Sequence, residues 1–333
     1  MSRRDRRGPA AGVTAAAAVL SCLLAPARPA LAQTGGAPAT ECCLQLLFTI
    51  GGRALALGDA IGARSSPGSL FANPALLAGV TDDQFVVHNA DTAIEESNTF
   101  SLIIRSEVAG TFGLSYRLID YGDQDKLDQN GIPVGSFATL AHVLTASFAT
   151  HVVEGLNAGV SYELYQFRTD CRGFCDDFQS VPATTHSVDL GVQYVPRSLP
   201  ALQLGAAVAN LGFPLQVVNS EQASPLPLRL RIGAAYEAGH HFLADSAFAV
   251  WTSADLVTNP RDGRPHLNVG IDVSVEETVF VRAGYGGGSG LTGGAAAGIG
   301  VRYGRFEVDI AKSFVTSPID DSDPIQVSFS IRF

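Results

Sequence analysis

The segment Ile325-Gln326-Val327-Ser328-Phe329-Ser330-Ile331-Arg332-Phe333 alternates without a break. Ile325, Val327, Phe329, Ile331 and Phe333 share one face, and Gln326, Ser328, Ser330 and Arg332 share the other. Successive side chains of a strand point to opposite sides, so this period makes a ribbon with one apolar and one polar face. Its length suits a tilted strand crossing a bilayer, which needs about nine to eleven residues. Strands in soluble sheets are usually shorter, about five or six residues.

The same pattern recurs upstream. Leu156 to Leu164 has one apolar face and one of polar residues and glycine. Val188, Leu190, Val192 and Tyr194 alternate with Asp189, Gly191 and Gln193. Leu228, Leu230, Ile232, Ala234 and Tyr236 alternate with Arg229, Arg231 and Gly233, and Leu267 to Val273 does the same with Asn268, Gly270 and Asp272. Fourteen such segments begin near Gln84, Asn98, Gly110, Phe137, Leu156, Thr185, Leu202, Leu228, Ala247, His266, Thr278, Gly294, Arg305 and Ile325. An even number is what a bacterial single-chain barrel needs.

The connections between them alternate as well. Asp120 to Ser136, Arg168 to Thr184, Gly212 to Pro227 and Val315 to Pro324 read as long loops. Val153-Glu154-Gly155, Pro196 to Leu199, Glu276-Glu277 and Tyr303-Gly304-Arg305 read as tight turns, while Gly239 to Asp245 is longer than the rule predicts. Long loops outside and short turns on the periplasmic side are the outer-membrane pattern. A soluble β-sandwich has no reason to alternate in this way. Tyr116, Tyr162, Tyr194, Tyr236, Tyr285 and Tyr303 recur near strand ends, as an interfacial girdle would.

The N-terminus fits export. Ser2-Arg3-Arg4-Asp5-Arg6-Arg7 is basic, Ala10 to Ala25 is apolar, and Ala30-Leu31-Ala32 is a cleavage pattern before Gln33. Together they read as a secretory signal peptide over 1–32. Cys22 after Val19-Leu20-Ser21 offers a lipoprotein reading, and Arg3-Arg4 a twin-arginine one; both fit the residues less well. Residues 1–32 carry five arginines against one aspartate, so the formal charge of −10 becomes −14 for residues 33–333. A chain this acidic is a poor ligand for nucleic acid. Only 16% of residues are charged, and mean hydropathy is positive. No segment after residue 32 has the roughly 18 apolar residues of a membrane helix. The remaining way to satisfy every backbone group in lipid is a closed barrel.

Cys42, Cys43, Cys171 and Cys175 remain after residue 32. Export permits disulfides, and four cysteines allow three pairings. Cys171 and Cys175 can close a small local loop, whereas neighbours such as Cys42 and Cys43 rarely pair. No histidine stands at ligand spacing near them, and no metal site is expected.

Gly52-Arg53-Ala54-Leu55-Ala56-Leu57-Gly58-Asp59-Ala60 and, after it, Asn73-Pro74-Ala75 both precede the first strand. Asp120-Tyr121-Gly122-Asp123, Asp128-Gln129-Asn130-Gly131, Asn210-Leu211-Gly212 and Val281-Arg282-Ala283-Gly284-Tyr285 come in order behind them. This series resembles the PorV/PorQ group of outer-membrane proteins, relatives of the FadL transporters. The resemblance implies an all-β fold: a 14-stranded antiparallel transmembrane barrel over 83–333, with an N-terminal hatch over 33–82 in its lumen. Gly52, Arg53, Gly58, Asn73, Pro74 and Ala75 would belong to that hatch. Leu76 departs from the family, where Gly is usual after the Asn-Pro-Ala triplet, and so does Ser65-Ser66-Pro67-Gly68, where acidic residues are common.

The implied role is non-enzymatic transport of hydrophobic compounds across the outer membrane; a type IX secretion accessory that handles secreted cargo proteins is the alternative. Expected partners are outer-membrane lipid, the barrel-assembly machinery and a hydrophobic small molecule or cargo protein. Phe329, Ile331 and Phe333 match the aromatic C-terminal signal that this machinery reads. No catalytic residues, cofactor or nucleic-acid partner are expected. Asp120, Asp123, Asp125, Asp128 and Asn130 lack calcium-loop spacing, because Leu127 stands at a ligand position, so they read as a solvated loop. Gly284 to Gly294 has seven glycines but no βαβ context for phosphate binding. His240-His241 reads as surface histidines in a turn. Asp189, Arg229, Arg231, Asp272, Arg282 and Arg302 are expected to face the lumen, because Arg on the lipid face near midplane costs about 2–4 kcal/mol.

Overall fold

The computed structural model describes residues 41–92, 94–175, 182–216, 223–238, 248–261, 263–288, 293–315 and 323–333. The signal-peptide reading over 1–32, the turn with His240-His241 and the first eight hatch residues, 33–40, lie outside them.

Fourteen strands form a closed antiparallel barrel. They are β1 Gln84–Asp91, β2 Glu96–Ser106, β3 Gly110–Leu127, β4 Pro133–Val153, β5 Leu156–Gly173, β6 Ala183–Tyr194, β7 Leu202–Gly212, β8 Arg229–Glu237, β9 Phe248–Thr258, β10 Pro265–Val275, β11 Val279–Gly287, β12 Gly293–Tyr303, β13 Phe306–Ser313 and β14 Ile325–Arg332. Each strand pairs with its sequence neighbours. β14 returns to β1, with Gln84 opposite Arg332 and Asp91 opposite Ile325. The Phe333 N–H donates to Asp83 O at 3.0 Å, just past that seam. No sheet edge is therefore left open to lipid.

The barrel is inside-out. Phe112, Leu114, Leu190, Ile232, Ile299 and Phe329 are exposed on the outer face, while Ser101, Ser115, Thr145, Ser147, Ser161 and Asp272 are buried within. In β14, Ile325, Val327 and Phe329 face outward and Gln326 and Ser328 face the lumen, as the alternation requires. Tyr194 and Tyr303 end their strands, while Tyr116, Tyr162 and Tyr285 lie six residues into theirs. At a rise of about 3.3 Å per residue that is about 20 Å along the strand, comparable to an outer-membrane apolar band of about 25 Å. Among the described residues α1, Gly52–Ala56, is the one α-helix, and no described helix is long and apolar enough to cross a membrane.

Two expected loops begin as strand. β3 runs on to Leu127 and β4 starts at Pro133, so the acidic segment is a hairpin closed by residues 128–132. Asp128 makes the turn: its Oδ1 accepts the N–H groups of Asn130 (2.8 Å) and Ile132 (2.9 Å). These bonds hold its carboxyl below the usual range. β5 likewise continues to Gly173. Beyond Asp120, Arg168 and the rim of the barrel, β3, β4 and β5 pair only with one another, so they project as a three-stranded sheet. Period-two alternation is the same in and out of the membrane, and a run of aspartates suggests a loop where the strands in fact continue. Cys171 and Cys175 are bonded at the tip of this sheet. Cys42 and Cys43 are bonded to each other, the pairing that adjacency argued against.

Candidate functional site

Residues 41–82 lie within the barrel and divide its lumen. The segment begins at the loop end, where Glu41 accepts from Arg229 (3.1 Å), Arg261 (3.0 Å) and Asn259 (3.1 Å). Cys43 packs in an apolar cluster with Ile119, Ala141, Val143, Tyr165, Leu215 and Leu226. Arg117 donates to Gln45 O (2.9 Å) and pairs with Glu95 (2.8 Å) in the β1–β2 connection. Burial pushes the Glu95 carboxyl up to about 7, an effect that Arg117 only partly offsets.

The segment next meets β14. Gln326 donates to Thr49 O (2.8 Å) and accepts from Gly51 N (2.7 Å), and Gly52 N donates to Ser328 Oγ (2.8 Å). Gly51 has φ +100°, and a Cβ there would lie 2.8 Å from the His88 ring. Only glycine takes this conformation readily. α1 then carries Arg53 to Asp272 at 3.5 Å. Arg64 reaches the same carboxylate at 2.9 Å and stacks over Trp251 at 4.3 Å. Arg282 bonds Asp272 (3.2 Å) and pairs closely with Asp309. Asp59 pairs with Arg231 (2.5 Å), which also holds Asp255 (2.7 Å), and Asp255 accepts from Gly62 N (2.7 Å).

Asn73 is fully buried. Its Oδ1 caps the following 3₁₀ turn by accepting Ala75 N (3.1 Å), with Pro74 at the first position. Its Nδ2 donates to Gly62 O (2.9 Å) and to Val192 O of β6 (3.1 Å). One side chain thus ties two stretches of the segment to the wall. Leu70 and Leu77 then pack against Ile103 and Ala149.

Three cross-strand glycine pairs receive this backbone: Gly159 with Gly191, Gly205 with Gly233, and Gly270 with Gly284. A Cβ on Gly159 would come within 2.5 Å of Ala75 N, one on Gly205 within 2.0 Å of Gly62 O, and one on Gly284 within 2.2 Å of Leu57 C. The polar faces of the strands displayed these glycines in sequence, at the level where the segment touches down.

Above the segment, at the loop end, lies a cavity of about 620 Å³. Leu46, Phe48, Ile50, Ile61 and Phe71 give it an apolar floor, and Arg229, Arg231 and Asn268 line its wall. Below, at the turn end, a cavity of about 290 Å³ is lined by Arg53, Arg64, His88, Glu307 and Arg302. Ile50 borders both.

Of the expected hatch residues, Gly52, Arg53 and Gly58 lie on the β10–β14 side and Asn73, Pro74 and Ala75 on the β5–β6 side. Arg231, Asp272 and Arg282 bond or surround this segment; Asp189 instead accepts Asn210 N (2.7 Å) at a bulge in β7, where Asn210 is left-handed. Phe329 stacks on Phe306 outside, with ring centroids 6.0 Å apart, and Phe333 is exposed at the turn end. Among the described residues no group of three or more His, Cys, Asp or Glu is placed to hold a metal ion.

No protein-family model matches the chain, and no curated protein sequence is significantly similar. Solved structures are similar in fold. The toluene transporter TbuX of Ralstonia pickettii is 16% identical, with a TM-score of 0.55 over 85% of this chain and 98% of that one. A Pseudomonas aeruginosa FadL homologue is 11% identical, with a TM-score of 0.52 over 89% and 99%. The Pseudomonas putida toluene transporter TodX is 13% identical, with a TM-score of 0.53 over 84% and 96%. The chain has the fold of a FadL-like outer-membrane β-barrel.

Proposed function

We propose that this protein admits small apolar molecules through the outer membrane. The observation that carries this reading is the loop-end cavity: a chamber of about 620 Å³ whose floor is apolar and is made by the plug itself. Ligand chambers are typically concave, largely apolar and about 300–1,000 Å³. A small hydrocarbon entering from the loop end would bury against Leu46, Phe48, Ile50 and Phe71. Passage then requires the segment around Ile50 to shift, because Ile50 separates this chamber from the polar one below. The likeness to two toluene transporters supports the same cargo class. In this reading residues 1–32 direct export, the loop end faces outward, the outer face meets lipid, and the aromatic C-terminus addresses the assembly machinery.

The test is entry of ethylbenzene or toluene into liposomes holding the purified full chain, with empty liposomes as reference. Faster entry, slowed when Ile50→Arg places a charge between the chambers, is the expected result. Equal rates with and without the protein overturn the reading.

A further inference from the structure

A side pocket of about 50 Å³ shares Leu46, Phe48, Ile50 and Phe71 with the loop-end cavity. Its end is formed by Glu163 of β5 and Asp189 of β6, 8% and 5% exposed. The two are diagonal to each other in the register, since Ser161 faces Asp189 and Glu163 faces Ser187. Both carboxylates are held only by neutral donors. Glu163 accepts from Thr145 (3.4 Å) and Ser187 (3.2 Å), and Asp189 accepts from Asn210 N through Oδ1 (2.7 Å). Among the described residues Asp189 Oδ2 meets no donor, and neither carboxylate has an ion-pair partner.

The lumen arginines near them are already committed. Arg117 is held by Glu95 and Gln45 O, Arg229 by Glu41, and Arg231 by Asp59 and Asp255. Elsewhere in this lumen buried acids bond to arginine; here two of them line a cavity with Arg117, which bonds Glu95 and neither of them. A buried carboxylate without a cation is costly, and a ligand that donates to it recovers that cost.

We propose that the loop-end cavity takes small amphiphiles with an apolar body and a hydrogen-bond-donating head, an ammonium or a hydroxyl, seated on Glu163 and Asp189, and that it rejects carboxylates. This names the cargo within the transport reading above and rests on it. The apolar body lies on Leu46, Phe48, Ile50 and Phe71. The head reaches Asp189 Oδ2, the acceptor that the protein leaves unused. A ligand carboxylate there would meet two acids, and Arg117, the cation that lines the same pocket, is already paired with Glu95.

The experiment compares four probes of one shape on the full chain in nanodiscs at neutral pH by calorimetry: 2-phenylethylamine, 2-phenylethanol, ethylbenzene and phenylacetate. The amine is expected to bind roughly tenfold or more tightly than phenylacetate and ethylbenzene, with the alcohol between, since bonds to a charged group are the stronger class. In Asp189→Asn and in Glu163→Gln the amine's advantage over ethylbenzene should fall to about threefold or less. Heat-dependent gel mobility shows that each variant is a folded barrel, and the order among ligands is read on the unaltered chain in any case. Ethylbenzene binding with no gain for the amine overturns this inference and leaves the transport reading standing. Phenylacetate as the tightest ligand, or an amine advantage unchanged in both variants, also overturns it. Failure of all four to bind removes both readings.

Discussion

Arg53, Asp59 and Arg64 meet the β8–β13 wall through ion pairs, whereas Asn73 to Leu77 meet the β2–β6 wall through close packing. On the first side Asp272 alone gathers Arg53, Arg64 and Arg282. On the second, Leu70 and Leu77 fill space against Ile103 and Ala149, and the bonds are neutral ones, from Asn73 to Val192 O and from Gln193 to Ala63 O. Packing is short-ranged and fails gradually as the fit loosens. A buried charge network fails abruptly, because removing one member leaves its partners uncompensated. The charged side is therefore the one that can release, and the packed side the one that holds position.

The largest effect is expected from Asp272→Ala, which strands Arg53 and Arg64. Breaking a buried pair costs about 3–5 kcal/mol. Trypsin should then cut at Arg53 and Arg64 in the folded barrel, and the fluorescence of Trp251, the only tryptophan, should change as Arg64 leaves its ring. An unchanged cleavage pattern and spectrum would show that the ion pairs do not hold the segment. Leu77→Ala comes next, at about 3 kcal/mol for a fully buried leucine. It should lower the heat-modification midpoint on gels while leaving Arg53 and Arg64 protected. Exposure of those two sites in Leu77→Ala would mean that the two sides release together.

Asn73→Ala should cost about 1–3 kcal/mol, because it leaves Gly62 O and Val192 O without their shared donor. Its mark is faster hydrogen exchange at Ala75, whose N–H loses its cap, and unchanged exchange at Ala75 would count against that role. The smallest effect is on pH. The Glu95 carboxyl titrates near 7 when folded and near 4.5 ordinarily, so the folded state binds the extra proton between those values. Stability should be full below about 4.5, decline as pH rises to about 7, and level off above it. Glu95→Gln should flatten that slope in melts taken across the window, and a slope that persists would place its origin elsewhere.

The barrel was legible because period-two alternation is a local property of each strand. Every segment from Gln84 to Ile325 announces its two faces without reference to its neighbours, and observed strands start within four residues of their expected places. The site was legible only in part. Asn73 and Arg53 stood out through resemblance, but Asp59 with Arg231, or Gly62 with Asp255, meet across more than 170 residues of sequence, and no local pattern encodes such a meeting. The glycine pairs are intermediate. Gly159, Gly191, Gly205, Gly233, Gly270 and Gly284 all sit on polar strand faces, where a residue lacking a side chain buries nothing. Their recurrence marked where another backbone must approach. The projecting β3–β5 sheet was missed for the opposite reason: its aspartates suggested loop, while its pairing is set by the strands beneath it.

β14 has a second task besides sealing the seam. Gln326 and Ser328 grip Thr49, Gly51 and Gly52, the start of the plug. The ribosome makes residues 49–52 some 275 residues before their partners. For most of synthesis the stopper exists without its socket. A chain cut short before Ile325 would lack both the closing stave of the wall and the clasp for the stopper, so a seated plug is a record that synthesis has passed through β14.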